Sequence, residues 1–234
     1  MNTIEQLTGS ETSHLEHVLV GEKWFWLHPE VKNDLFALLE AAQTAGFKME
    51  IASGFRDFQR QKAIWNGKFS AATPILDHHS QPMDKSLLIS DSEKMWAILR
   101  WSALPGASRH HWGCDFDVFA RNLLPENESL KLEPWEYLSG HQQAFHIWLK
   151  ENLPRFGFFF PYEEDLGGVA AEPWHISHLA ISQQCLTLLT PEKLRQQLEL
   201  HPIDGQEQVL SNLTLIYNQF IANICTPEAV CKKS

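Results

Sequence analysis

Ten residues, Ser108-Arg109-His110-His111-Trp112-Gly113-Cys114-Asp115-Phe116-Asp117, gather two histidines and two carboxylates around one glycine. A Pro105-Gly106 turn precedes them and the apolar pair Val118-Phe119 follows. A catalytic zinc takes three nitrogen or carboxylate ligands and leaves its fourth position to water. His110 and Asp117 could supply two of the three, with Gly113 turning the chain between a loop-borne histidine and a strand-borne aspartate. The third must come from elsewhere, and Glu172-Pro173-Trp174-His175 is the best candidate. His175 would complete the ligands, leaving Glu172 free to take a proton from water made acidic there. Residues three apart in a flat strand point to opposite faces, so Pro173 has to mark a bend or the segment's start if both side chains serve one site.

A third piece, Ser53-Gly54-Phe55-Arg56 with Gln61 shortly after, joins these two. In this order the three resemble the LAS group of zinc peptidases (lysostaphin, D-alanyl-D-alanine metallopeptidases and hedgehog), and within it the VanY-type D-alanyl-D-alanine carboxypeptidases. That family reads S-x-Y-R with a following Q, then S-x-H-x-x-G-x-A-x-D, then E-x-W-H. The resemblance spans roughly residues 47 to 180. It implies zinc (Zn2+) held by His110, Asp117 and His175, Glu172 as catalytic base, and Arg56 on the substrate carbonyl or carboxylate. Ser108, Gln61 and Trp174 fall at motif positions and are expected on the substrate side. His178 keeps two readings, a hydrogen bond to the substrate or oxyanion, or a strand residue facing away. The implied fold is α+β, a central antiparallel sheet flanked by helices. Two positions depart from the pattern. Phe55 replaces tyrosine, which removes a hydroxyl and keeps the ring. Asp115 stands where alanine is usual, and its carboxylate could lie just behind the metal ligands, pair with Arg109, or narrow the substrate choice.

The elements that must position these residues are legible in part. Pro29 to Ala45 reads as a helix closed by Gly46, with Val31, Leu35, Leu38, Leu39 and Ala42 on one face. Phe47, Met49 and Ile51 alternate with Lys48 and Glu50 as a half-buried strand that delivers Ser53 and Arg56 to the loop at its end. Asp57 caps a helix from Phe58 to about Asn66 that brings Gln61 back past Arg56; an ion pair of Arg56 with Asp57 is the alternative for that arginine. Residues 67–90, with His78-His79, read as a long surface loop. Ser90-Asp91-Ser92-Glu93 is a capping box opening a helix that ends before Pro105. Arg121 to Leu138 reads as irregular, Ser139 to Asn152 as a helix, and Gly157 to Phe160 as a buried strand. The turn Glu163 to Gly168, read as solvated, makes the Glu172 segment the other arm of a hairpin. The chain then divides into a catalytic domain, 1–189, and a C-terminal helical extension, 190–234, packed on it. The extension holds a helix from Thr190-Pro191, a second capping box at Asp204 and Glu207, and a stripe of Val209, Leu213, Ile216, Phe220 and Ile224.

At 234 residues with nine tryptophans and fourteen phenylalanines, the chain can bury a substantial core. A formal net charge of -10, from 19 basic and 29 acidic residues, speaks against nucleic acid or an anionic membrane bound through a broad basic face. No segment approaches the roughly 18 apolar residues of a membrane span, and the first residues lack a signal pattern, so a cytoplasmic enzyme is expected. The four cysteines, Cys114, Cys185, Cys225 and Cys231, have no zinc-ribbon spacing and are expected reduced, Cys114 as a small buried side chain.

What the resemblance implies about activity is zinc-assisted removal of a C-terminal D-alanine from peptidoglycan precursor or recycled muropeptides, by a D,D- or an L,D-cut. Two alternatives stand beside it: an L-alanyl-D-glutamate endopeptidase of endolysin type, and a zinc-stabilised binding module without catalysis. The oligomeric state has no signature in the sequence.

Overall fold

The computed structural model describes residues 3–77, 80–84, 88 and 90–227. His78, His79 and Cys231 lie outside the described residues.

Thr3 caps a short helix, α1 (Ile4–Leu7), and the antiparallel hairpin β1 (Glu16–Val20) and β2 (Lys23–Leu27) follows. The hairpin is additional to the elements expected above. Val18, Val20 and Leu27 face inward, while Leu19, Trp24 and Trp26 stay exposed, so its hydrophobic alternation is half masked by outward aromatics. The helix expected from Pro29 begins as a 3-10 turn, Pro29–Val31, and continues as α2 (Lys32–Thr44). Leu35, Leu38 and Ala42 are its buried stripe.

β3 (Met49–Ser53) buries Met49 and Ile51 as the alternation requires. Asp57 accepts from the Arg60 N–H and opens α3 (Phe58–Phe69), a turn longer than expected. The Ser90 and Glu93 capping box opens α4 (Asp91–Leu99). After the 3-10 turn Arg109–Trp112 comes β4 (Asp115–Ala120), buried along its whole length.

The stretch expected to be irregular contains α5 (Pro134–Leu138), opened by Pro134 and by a Glu133 and Glu136 capping box. The next helix, α6 (Gln143–Asn152), starts four residues later than expected because Gln142 is used otherwise: its amide accepts from the Ala120 N–H at 2.7 Å and donates to the Ala120 carbonyl at 3.1 Å. β5 (Phe158–Phe159) and β6 (His175–His178) are the hairpin arms expected around the 163–168 turn. That turn is not simply solvated. Asp165 takes a bidentate hydrogen bond from Arg100, 3.1 and 2.5 Å, and Glu163 meets Lys150 at 2.6 Å.

The remaining helices are α7 (Leu179–Leu188), α8 (Pro191–Leu200), α9 (Gln206–Ser211) and α10 (Leu213–Ile216), which widens into a π turn at Tyr217–Ile221. Asp204 makes no capping box. Gly205, at φ +70°, is the N-cap of α9, and the Asp204 backbone instead joins α3, its N–H to Asn66 and its carbonyl to the Trp65 indole. Leu194, Leu198, Val209, Leu213 and Ile216 lie in the same hydrophobic cluster as Leu35, Phe116 and Ile176.

The central sheet runs β3-β4-β6-β5, every pair antiparallel, as an α+β fold requires. β4 and β6 form its middle, and their register sets Asp117 opposite His175 and Asp115 opposite Ser177. Directly paired residues share a face. One face of the sheet therefore carries Asp115, Asp117, His175 and Ser177, while Phe116 and Ile176 point the other way into the core.

Candidate active site

The polar face of β4 and β6 opens into a cleft of about 240 Å³ whose lining includes Arg56, Ser108, His110, Asp117, Glu172, Trp174 and His175. Three distant pieces of sequence thus meet in one place. A larger hollow, about 900 Å³, lies between the β1–β2 hairpin, α2 and β3, but neither histidine nor cysteine lines it. The chemistry sits in the smaller space.

Each piece is held by a local device. Gly113, at φ +68°, turns the chain from the His110 turn into β4; a methyl group there would come within 2.6 Å of the Leu15 side chain and 3.1 Å of the His28 nitrogen. Arg56 is joined to the same turn by its N–H on the His110 carbonyl, 3.2 Å, and its own carbonyl meets His111 Nδ1 at 2.5 Å. His111 Nε2 in turn accepts from the Gly106 N–H, so this histidine is a neutral strut between two loops, and burial lowers its pKa to about 4. The His175 N–H bonds back to the Glu172 carbonyl at 3.0 Å, closing a turn at Pro173 and Trp174 before β6 begins. That turn meets the requirement set by the spacing: Glu172 Oε2 and His175 Nδ1 lie 3.4 Å apart on the same side.

His110, Asp117 and His175 are all buried, and one candidate ligand atom from each lies within 4.8 Å of the others. Asp117 Oδ1 is 3.2 Å from His175 Nδ1, and Asp117 Oδ2 is 3.4 Å from His110 Nε2. Yet Asp117 Oδ1 and His175 Nδ1 are both buried without a properly oriented hydrogen bond. Converging buried acceptors that lack partners are costly unless a cation joins them. Two nitrogens and one carboxylate suit a zinc ion with an open position.

The electrostatics agree. Burial takes the His110 pKa down to about 3, leaving a neutral ring able to ligate. Burial works to raise the Asp117 carboxyl, but His110, His175 and Arg56 outweigh it and keep it ionised. Burial would lower His175; the nearby carboxylates of Asp115, Asp117 and Glu172 outweigh it and hold its proton affinity well above the ordinary value, a measure of how much negative charge faces this ring. Glu172 is pushed up by burial, the direction that suits a general base near neutral pH.

The Arg56 guanidinium donates to Gln61 Oε1 at 2.9 Å and to Ser53 Oγ at 3.2 Å, and among the described residues it forms no ion pair with Asp57 or another carboxylate. Gln61 is fully buried, with its amide N–H on the Ala103 carbonyl at 2.7 Å. Expected on the substrate side, it lies behind the cleft lining and touches two residues of it, Arg56 and Ala103. His178 resolves to its second reading. It lies on the opposite face of β6 from His175, with Nε2 3.0 Å from Asp34 on α2 and its ring against Phe158. Ser108 and Trp174 do line the cleft.

Two cleft residues, Lys68 and Tyr162, escaped the motif reading, and a third, Arg109, enters it only as a partner of Asp115. Lys68, at the end of α3, has no hydrogen-bond or ion-pair partner among the described residues, and burial lowers its pKa. Tyr162 lies with its ring centroid 5.2 Å from that of His175, and burial keeps its phenol protonated. Arg109 is 3% exposed and pairs with Asp115. No motif spacing reports Lys68 and Tyr162, because the far end of α3 and the turn after β5 bring them from between the motif segments. Cys114, Cys185 and Cys225 are buried, and the Cys114 thiol donates to Asp115 Oδ2 at 3.1 Å.

Comparison with known proteins agrees with this arrangement. The family model VanY, D-alanyl-D-alanine carboxypeptidase, matches residues 25–181. An uncharacterized protein of Haemophilus influenzae is 39% identical over 121 residues, 50% of this chain and 92% of that protein. A D-alanyl-D-alanine carboxypeptidase of Enterococcus faecalis is 26% identical over 147 residues, 62% of this chain and 45% of its own length. Among solved structures, VanYB in complex with D-alanine-D-alanine superposes with a TM-score of 0.50 at 22% identity, covering 83% of this chain and 87% of the other. That likeness speaks for the fold.

Proposed function

The chain belongs to the VanY family of D-alanyl-D-alanine carboxypeptidases, a family of metallopeptidases, and on that premise we propose that it removes a C-terminal D-alanine from peptidoglycan-derived peptides. The observation that carries this reading is the buried His110, Asp117 and His175 cluster beside Glu172 and Arg56 in one cleft. His110, Asp117 and His175 would hold a zinc ion. Zinc, when bound, polarises a carbonyl and acidifies water.

The protein's own groups divide the remaining work. Glu172, 3.4 Å from His175 Nδ1 and raised by burial, takes the proton of the attacking water and passes it to the leaving amine. Arg56, fixed by Gln61 and Ser53, presents its guanidinium to the developing oxyanion. Lys68, unpartnered and lining the same cleft, meets the terminal carboxylate. Trp174 and Tyr162 supply walls, and Ser108 a hydroxyl. A cleft of about 240 Å³ is below the usual range for whole small-molecule ligands, roughly 300–1,000 Å³, which suits the last residues of a free peptide end. Precursor or recycled muropeptides, cut at a D,D- or an L,D-bond, are the substrates proposed.

Replacing Glu172 by Gln tests the base. Zinc should remain bound while kcat falls by about a thousandfold or more. Unchanged turnover would remove Glu172 from that role. Replacing His110 by Ala should lose the metal, and full zinc occupancy would remove His110 from the ligands.

A further inference from the structure

Asp115 is one of the two departures from the family pattern, and it is wholly buried two residue pairs along from Asp117 and His175, on the same face of the sheet. Its Oδ1 lies 3.0 Å from His175 Nε2 and accepts from Arg109 Nε at 2.7 Å; its Oδ2 takes the Cys114 thiol. Arg109 extends the chain of contacts to Ser177 Oγ at 2.6 Å, and its guanidinium lies 4.9 Å from the Trp112 ring. Asp115 and Ser177 are cross-strand partners on β4 and β6, so Arg109 ties the two strands together at the next pair on the face that carries Asp117 and His175.

A neutral imidazole carries its proton on one nitrogen only. His175 Nδ1 faces Asp117 at 3.2 Å and Glu172 at 3.4 Å, two carboxylates that would each draw the proton to Nδ1 and so block the lone pair a metal needs. Asp115 on the far side competes for that proton. We propose that Asp115, held in place by Arg109, is a positioning residue that keeps the His175 proton on Nε2 and its Nδ1 lone pair aimed at the metal. The paired Arg109 makes this possible, since a lone buried carboxylate at this position would be too costly to keep charged. The inference rests on the ligand assignment proposed above and adds to it a specific demand on metal affinity.

The test measures zinc affinity by competition with a chromophoric chelator, and the absorption spectrum of the cobalt-loaded protein, for the wild type, Asp115→Ala and the double variant R109M/D115A. Asp115→Ala should bind zinc about 10–100-fold more weakly and shift the cobalt spectrum. Because that variant strands a buried Arg109 and could fail to fold, the double variant is decisive: it removes both charges and should recover wild-type thermal stability while keeping the loss of affinity. Wild-type affinity and spectrum in the double variant would overturn the proposal, showing that Asp115 serves only to neutralise Arg109. A wild-type protein that binds no zinc would instead overturn the ligand assignment itself, a distinct result.

Discussion

At the scale of single residues, the division of labour among the cleft's cations is open to kinetics. Arg56 is locked by two side chains, whereas Lys68 is free to follow a ligand. Lys68→Met should therefore raise KM by about tenfold with kcat nearly unchanged, the signature of a lost ground-state contact to a carboxylate; an equal fall in kcat would place Lys68 at the reacting atoms. The buried cluster of His110, Asp117 and His175 and the neighbouring Glu172 were legible because they fall at motif positions of the resemblance, and Gly113 and the Pro173 turn are the backbone devices that bring them together. Gln61 and His178 were less so. A motif position tells which residue is near the site but not which way it faces, and strand parity at β6 sends His178 to Asp34. Lys68 and Tyr162 carry no local signal, since only the placement of α3 and of the turn after β5 brings them in.

The elements explain why this site is rigid. Asp117 and His175 stand on the two central strands, and the loops bearing Arg56 and His110 are cross-tied by backbone and by His111. Gly113→Ala combines a positive φ with contact against Leu15 and the His28 nitrogen, and should cost about 2–4 kcal/mol in urea unfolding with weakened metal binding. A neutral outcome would mean the turn can relax without moving His110. By contrast Ser90→Ala, which removes a solvent-facing capping box from α4, should cost about 1 kcal/mol and leave metal affinity untouched. The helices with caps and clear stripes, α2, α3, α4 and α8, were readable from the sequence. The β1–β2 hairpin and α5 were not: the first shows its larger aromatics to solvent, and the second is five residues long and rests on Pro134 and a glutamate cap. Asp204 shows the converse error, where a capping pattern was overridden by the tie between its backbone and Trp65.

Over the whole molecule, one hydrophobic cluster runs from Leu7 to the last helices, with Trp65 and Trp112 fully buried and each indole hydrogen-bonded to a distant carbonyl. No described helix is long and apolar enough to cross a membrane. Two neutral histidines, His111 fully buried and His14 half-buried, give this body an acid-side weakness. His14 is lowered by burial and by His28, and His111 by burial, each to about 4 from 6.5. The unfolded chain therefore binds more protons than the folded one between those values. Stability is complete above about pH 6.5 and is lost as pH falls towards 4, by about 2–4 kcal/mol in total for the metal-free protein. Urea midpoints that stay flat across that window would show that these rings are solvated in solution.

The most direct measurement is mass spectrometry of tripeptide, tetrapeptide and pentapeptide muropeptides after incubation with zinc-loaded protein, beside a chelator-treated sample. The cluster of His110, Asp117, His175, Glu172 and Arg56 predicts loss of one D-alanine that the chelator abolishes, from the pentapeptide for a D,D-cut or the tetrapeptide for an L,D-cut. Peptides that all survive intact, or a D-alanine loss indifferent to the chelator, would contradict the account.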